Sequence, residues 1–501
     1  MKTGDFEKIE ELFTFSLTPS LREPEKHSNT MSLTYREYTS QYGLDFKKYQ
    51  EECVNWCIEK EKRNHGGLIA DEMGLGKTYQ CIALMCCRQV KNTLVICPVS
   101  LISQWETAVK SHSNLNVFVY RGKERNSITR ETLDADCVVI ASYHELKRVK
   151  RHEREWASLL QTMQWNRVIF DEAHHLRNNK TVIHQSAYYV KSHIKWLLTG
   201  TPIQNSRKDF YSLCEVIGIP SHIYQNTGNL CKYANEYFIK RTKRGLGIHM
   251  PDLHKNVVKV KWENEDDTNM SNMLHSRLGW GTTPDRLPKF GCVLVDYLRT
   301  KQLCTYPKLL DSIFNKETRL EDEEGKDIDT EVIDSMKRAT ECKGKLGKVV
   351  ELILDRRDTG RKLVFCEFRQ QMEFMERAFL RNGMMAAVVN GNTTKEERDA
   401  CLSSESIDVL ILQINTCGEG LNLQSYNEVY IVTPHWNPCV EEQAIGRCYR
   451  LGQTRPVTVY RFVMEHEQYG LERTIDTYIA EAQQKKYQNI DEVNEAISSN
   501  T

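Results

Sequence analysis

Short apolar runs of strand length alternate with longer amphipathic segments along most of this 501-residue chain, the pattern of parallel sheets covered by helices. In the first half the runs are GLIA ending at Ala70, TLVIC at Cys97, CVVIA at Ala141, RVIF at Phe170 and WLLT at Thr199. In the second half they are KLVFC ending at Cys366, AAVV at Val389, DVLIL at Leu412, EVYIV at Val432 and TVYRF at Phe462. Polar or glycine-rich stretches follow these strands, and open parallel sheets bind ligands just beyond the carboxyl ends of their strands. Two such sets predict an α/β protein of two parallel-sheet lobes with facing active edges. The expected division is an N-terminal flank over 1–43, a first lobe over 44–220, a mainly helical insertion over 221–345, a second lobe over 346–490 and a tail over 491–501. Inside the insertion, the acidic run Glu321 to Glu331 reads as a solvated loop.

Composition changes this picture little. A chain of this length is expected to divide into two or more domains, and 40% hydrophobic with 27% charged residues fits a globular protein. Lys plus Arg equals Asp plus Glu at 68 each, so a nucleic-acid path has to be a local basic surface. No apolar stretch reaches the length of a membrane span and the charged start is unlike a signal peptide, which predicts an intracellular protein. The 17 cysteines lack paired metal-ligand spacing and read as free, mostly buried thiols in a reducing compartment, with no zinc. The basic run Lys147 to Arg151 reads as a solvated helix face rather than a nuclear signal.

The sharpest chemistry follows the first strand. In Asp71, Glu72, Met73, Gly74, Leu75, Gly76, Lys77 and Thr78, the glycines let backbone N–H groups close around phosphate oxygens, and a helix is predicted at once. Lys77 would reach the β- and γ-phosphates of ATP, and the Thr78 hydroxyl would ligate Mg²⁺. Asp71 stands where the strict phosphate-loop pattern has its first glycine. Downstream, RVIFDEAHHL delivers Asp171 and Glu172 to a strand end, the arrangement that puts one carboxylate on Mg²⁺ and one on the attacking water. Gln50, on a predicted helix before the loop, offers a donor and an acceptor to one adenine edge.

The second half supplies what a switching device needs, an arginine from a neighbouring surface that senses the γ-phosphate. Arg447 and Arg450 are three apart, so on a helix they would share a face and enter the cleft together. Gly418 and Gly420 permit close approach to a phosphate of either a nucleotide or a nucleic acid. Trp436 reads equally as core packing or as a contact.

Taken in order, LDFKKYQ, LIADEMGLGKT, LVICPVSLISQWE, DEAHHLRN, LLTGTPIQN, LVFCEF, VVNGNTT, GEGLNL, HWNP and QAIGRCYRLGQ resemble the motif series of the Swi/Snf-type branch of superfamily-two helicase-like ATPases. The resemblance spans Leu44 to about Ile490. It implies two RecA-like lobes and an ATPase that steps along double-stranded DNA without separating its strands, acting on nucleosomes or other DNA-bound proteins in a nucleus or a viral replication compartment. It implies that Gln50 contacts adenine, that Lys77 and Thr78 take phosphates and Mg²⁺, that Asp171 and Glu172 take the metal and water, and that Arg447 and Arg450 meet the γ-phosphate. Thr199, Gly200, Thr201 and Gln443 would couple hydrolysis to lobe movement. Gln104, Trp105, Ser142, Tyr143, Asn392 and Trp436 lie in segments that line the family's DNA path.

Cys417 and Glu419 depart from the family's fifth motif and Ser142 replaces a common threonine. Two rival readings remain: an RNA helicase, suggested by DEAH but unlike LLTGTPIQN and Gln443, and a nucleotide-gated scaffold that barely turns over. Isolated cysteines in the insertion make no RING, so ligase activity is not expected.

Overall fold

The computed structural model describes residues 33–147, 149–151, 154–156, 158–263, 265–278, 293–310, 344–415, 421–465 and 473–498. Fifteen strands fall among them: β1 (Gly67–Ile69), β2 (Asn92–Cys97), β3 (Val117–Tyr120), β4 (Cys137–Ser142), β5 (Val149–Arg151), β6 (Arg154–Trp156), β7 (Arg167–Asp171), β8 (Ile194–Leu198), β9 (Phe238–Ile239), β10 (Leu253–Val260), β11 (Lys362–Cys366), β12 (Ala386–Val389), β13 (Val409–Gln413), β14 (Glu428–Ile431) and β15 (Val457–Met464).

The first lobe is a seven-stranded sheet in the order β3-β4-β2-β7-β8-β1-β9, with every pair parallel. Strands buried on both faces are mostly apolar, which is why β2, β4, β7 and β8 carry the runs LVIC, VVIA, VIF and WLL. Separate apolar clusters cover the sheet, one containing Leu94, Phe170 and Leu197 and the other Val95, Ile169 and Leu198. Consecutive residues of one strand thus point to opposite faces.

The second lobe is a six-stranded parallel sheet in the order β10-β15-β14-β11-β13-β12. All ten strands expected from the apolar runs are present. Five strands were not among those expectations: β5 and β6, which pair only with each other, and β3, β9 and β10 of the two sheets.

Strands β9 and β10 alter the reading of 221–345 as a mainly helical insertion. At its start, β9 extends the first sheet beside β1, and β10 pairs along its whole length with β15 of the second. The cause is visible in β10, LHKNVVKV: its exposed edge carries polar and charged residues, so no apolar run marks it. Helices Glu265–Arg277 and Val293–Thr305 follow, while the acidic run Glu321 to Glu331 lies outside the described residues. Within the basic run expected as a helix face, Val149–Arg151 is a strand that pairs antiparallel with Arg154–Trp156.

The described residues past 490 do not form a separate tail. The helix Ile475–Ser498 starts against the second lobe, with Ile475 and Ile479 in its core, and ends with Val493, Ala496 and Ile497 in the core of the first. The 493, 496, 497 spacing is that of one apolar helix face, so the chain closes by strapping the lobes together. None of the 14 described cysteines is in a disulfide, and 12 of them are buried. No described helix is long and apolar enough to cross a membrane.

Candidate nucleotide site

The loop after β1 enters the helix Lys77–Cys87 through two glycines in the left-handed region, Gly74 at φ 91° and Gly76 at φ 81°. A side chain at Gly76 would also collide with Gln50, whose Nε2 lies 2.5 Å from the position of an added Cβ. Asp71 is fully buried and accepts from the backbone N–H of Arg241 at 3.1 Å and from its Nε at 3.0 Å, while the Arg241 Nη2 pairs with the other carboxylate oxygen. The residue that breaks the phosphate-loop pattern is therefore the loop's anchor. Lys243 extends the same clasp, pairing with Glu72 at 2.9 Å. Lys77 Nζ donates to the Asp71 carbonyl at 2.8 Å.

Strand β7 ends on Asp171, and Glu172 turns the chain with φ 48°, a conformation unusual outside glycine. Asp171 is buried: one carboxylate oxygen accepts from Trp105 Nε1 at 2.7 Å and the other from the Glu172 N–H at 2.9 Å. Burial and the neighbouring Glu172 charge push the Asp171 carboxyl up. For Glu172 burial also pushes upward, but His174, 3.2 Å away, together with Lys77 and Arg447, outweighs it and holds the carboxyl down. Glu172 is thus the more readily ionised of the two carboxyls, and a base requires the ionised state.

Arg447 and Arg450 reach this place from the second lobe by a route unlike the expected helix face. The helix Pro438–Ile445 stops before them, and the Arg447 carbonyl accepts from the Leu423 N–H at 3.0 Å instead of continuing the helical ladder. Both arginines nevertheless line one cavity of about 290 Å³ with Gln50, Met73, Gly74, Gly76, Lys77, Thr78, Gln104, Trp105, Asp171 and Glu172. The lobes touch there: a Cβ on Gly74 would sit 3.6 Å from the Arg450 Cβ, and one on Gly446 3.6 Å from Met73 Cε.

Other expected site residues fare differently. Thr199 is buried and accepts from the Thr201 N–H at 3.1 Å, and Gly200 packs on Met73, where an added Cβ would meet Cγ at 2.9 Å. Gln443 is buried on its helix. Trp105, Ser142 and Tyr143, read from resemblance as lining a DNA path, are buried too. Trp105 holds the Asp171 carboxylate and the Tyr143 hydroxyl donates to the Asp171 carbonyl at 2.7 Å, so both support the site from beneath. Gln104 and Asn392 are exposed. Trp436 packs against the second core, with the Lys486 ammonium 4.5 Å from its ring centre. Gly420, with Cys417, Gly418 and Glu419, lies outside the described residues.

Four participants were not singled out from the sequence: Arg241 and Lys243 behind the loop, and Gln204 with Asn437 between the lobes. Gln204 Oε1 accepts from Arg177 at 2.6 Å and from Asn437 Nδ2, on the other lobe, at 3.0 Å. Beside it, Cys439 Sγ lies 3.4 Å from the Ile203 carbonyl. The strand-end segment DEAHHLR, the TGTPIQN segment and HWNP thus meet at one amide. The quoted motifs contained all three, but only proximity in the fold reveals the junction.

A phosphate loop, two strand-end carboxylates and two arginines on a facing lobe define the class of helicase-like ATPases. The family model described as SNF2-related domain matches residues 49–227, and the one described as helicase conserved C-terminal domain matches 344–452. The chain belongs to the Swi/Snf-type family of superfamily-two helicase-like ATPases, hydrolases of the DNA-dependent ATPase class.

It is 27% identical over 477 residues to the probable global transactivator of Orgyia pseudotsugata multicapsid polyhedrosis virus, covering 89% of this chain and 91% of that protein. Identity is 26% to the DNA repair and recombination protein RAD26 of Saccharomyces cerevisiae, over 91% of this chain but 49% of that one. The putative ATP-dependent helicase/translocase YwqA of Bacillus subtilis is 25% identical over 83% of this chain and 46% of its own. The chain thus spans nearly all of the viral relative and about half of the other two. Among solved structures, the Sulfolobus solfataricus SWI2/SNF2 ATPase core in complex with dsDNA is 24% identical over 84% of this chain and 88% of that one, with a TM-score of 0.39.

Proposed function

We propose that this protein is an ATP-driven translocase on double-stranded DNA that shifts or displaces DNA-bound proteins, nucleosomes among them. The observation that carries the reading is the single cavity lined by Lys77, Thr78, Asp171 and Glu172 from one lobe and Arg447 and Arg450 from the other. In this reading Gly74 and Gly76 turn backbone N–H groups toward the phosphates and Lys77 neutralises their charge. Glu172 orients the attacking water and accepts its proton. Arg447 and Arg450 stabilise charge building on the γ-phosphoryl group.

The Thr78 hydroxyl and Asp171 are the residues that would hold Mg²⁺. The Asp171 carboxylate suits that role, being buried, oriented by Trp105 and set beside the phosphate loop. Bound there, Mg²⁺ would neutralise charge on the β- and γ-oxygens. When the γ-phosphate leaves, the arginines lose their partner, and the Gln204–Asn437 junction together with Thr199, Gly200, Thr201 and Gln443 passes the change to the lobe interface.

Duplex DNA as the track is supported by the family and by what the named relatives are called. A DNA repair and recombination protein among those relatives, with a viral transactivator, supports a nucleus or a viral compartment as the place of action. Contacts that follow a backbone read phosphates rather than bases, so little sequence preference and a steep salt dependence are expected.

The test is displacement of a third strand from a triplex laid on blunt duplex DNA. ATP-dependent displacement that stops with Lys77→Ala supports the reading. No displacement, together with hydrolysis stimulated by single-stranded RNA rather than duplex DNA, overturns it in favour of an RNA helicase. Hydrolysis indifferent to Glu172→Gln would favour a nucleotide-gated scaffold.

A further inference from the structure

Gln50 has the composition of an adenine reader, but an amide can read a base only if its two ends, alike in shape and opposite in hydrogen bonding, are held one way round. In this fold both ends are held. Gln50 Nε2 donates to the Leu75 carbonyl at 3.1 Å, and a carbonyl oxygen has no proton to offer in return. Gln80 Nε2 donates to the same carbonyl at 3.1 Å and keeps it in place. Gln50 Oε1 accepts from the Tyr35 hydroxyl at 2.8 Å.

Tyr35 comes from outside the span matched by the SNF2-related domain model, which begins at residue 49. It opens the helix Tyr35–Gln41, which is fixed by a capping box between Thr34 and Glu37. Tyr35 is 4% exposed and belongs to the same first-lobe core cluster as Cys53, Val54 and Met85. A phenol held that rigidly is a donor at a fixed point. Burial raises its pKa, so the proton stays on the oxygen.

We propose that Tyr35 is a specificity-determining positioning residue: its hydroxyl locks the Gln50 amide so that the pocket receives an acceptor from Oε1 beside a donor from Nε2, a pair that matches adenine and mismatches guanine. Adenine presents an amino donor beside a ring-nitrogen acceptor on one edge. Guanine presents two acceptors there and would set its carbonyl oxygen against Oε1. A site built to hydrogen-bond one base rejects the other because its own polar groups are left unpaired. This deepens the nucleotide-site reading and rests on Gln50 facing the base.

The experiment compares ATP and GTP hydrolysis, and ADP and GDP binding, in the full chain, in Tyr35→Phe and in Gln50→Ala. Tyr35→Phe removes one hydroxyl and keeps the ring, and its melting temperature reports folding independently. The expected result is a KM for ATP raised about three- to tenfold, the loss associated with one buried hydrogen bond, with the ATP-to-GTP preference reduced by a similar factor. Gln50→Ala should reduce that preference at least as far.

If Gln50→Ala lowers the preference and Tyr35→Phe does not, the positioning role is overturned while the adenine reading stands. If Gln50→Ala also leaves it unchanged, both fall. A loss in Tyr35→Phe shared equally by the two nucleotides would show a structural role only and overturn the proposal. Should Tyr35→Phe melt too low for kinetics, the ratio of ADP- to GDP-induced shifts in its melting temperature decides by the same criteria.

Discussion

The two lobes share a parallel-sheet fold, but they hold their functional side chains in opposite ways. In the first, three carboxylates at or behind the pocket are tied to their own lobe: Asp71 by Arg241, Glu72 by Lys243, Asp171 by Trp105. The second contributes Arg447 and Arg450 from turns beyond the end of a helix, and their relation to the pocket depends on the lobes meeting. The difference separates binding from firing. In the function proposed above, one lobe is preorganised to take the nucleotide, and the other adds charge stabilisation only when closed.

The sharpest way to break the comparison is to remove the second lobe's contribution alone. Arg447→Ala is expected to lower the hydrolysis rate by about 10³- to 10⁵-fold, the range for a transferred arginine, while equilibrium binding of an ATP analogue stays close to that of the unaltered protein. Equal losses in both measurements would erase the distinction between the lobes. Within the first lobe, Glu172→Gln should cost about 10²- to 10⁴-fold in rate, again with the analogue retained, because it removes a base and leaves the phosphate loop whole.

Arg241→Ala tests the preorganised side. It removes the charge partner of the buried Asp71 carboxylate, leaving Gln80 Nε2 and a backbone N–H as donors, and breaking such a pair costs about 3–5 kcal/mol, so a drop in melting temperature and weakened nucleotide binding should appear together. Retained stability with normal binding would mean that the loop needs no anchor. The smallest effect is expected at the junction between the lobes. Asn437→Ala deletes the hydrogen bond to Gln204 and the cap on the Cys439 N–H, and DNA-stimulated hydrolysis should fall by roughly fivefold while hydrolysis without DNA changes less.

The asymmetry also decides what was legible in the sequence. Strands such as β2, β4, β11 and β13 announce themselves because both faces are buried. The edge strand β10, with Lys255, Asn256 and Lys259 along it, carries no such signal. Contiguous motifs gave Lys77, Thr78, Asp171, Glu172 and the two arginines, since a loop or a strand end brings its own residues together. Arg241 lies 170 residues from Asp71, and Asn437 lies 233 residues from Gln204, so those pairings exist only in the fold. Trp105, Ser142 and Tyr143 show the converse: resemblance placed them on a DNA path, and burial places them under the β2–β4–β7 edge of the site.

The most direct test of the account is steady-state ATP hydrolysis by the intact chain titrated with blunt duplex DNA. If DNA acts by bringing the second lobe's arginines onto a nucleotide already held by the first, kcat rises with duplex while KM for ATP stays within about threefold, since ground-state binding is left alone. A rate indifferent to duplex DNA, or a DNA effect confined to KM, would contradict it.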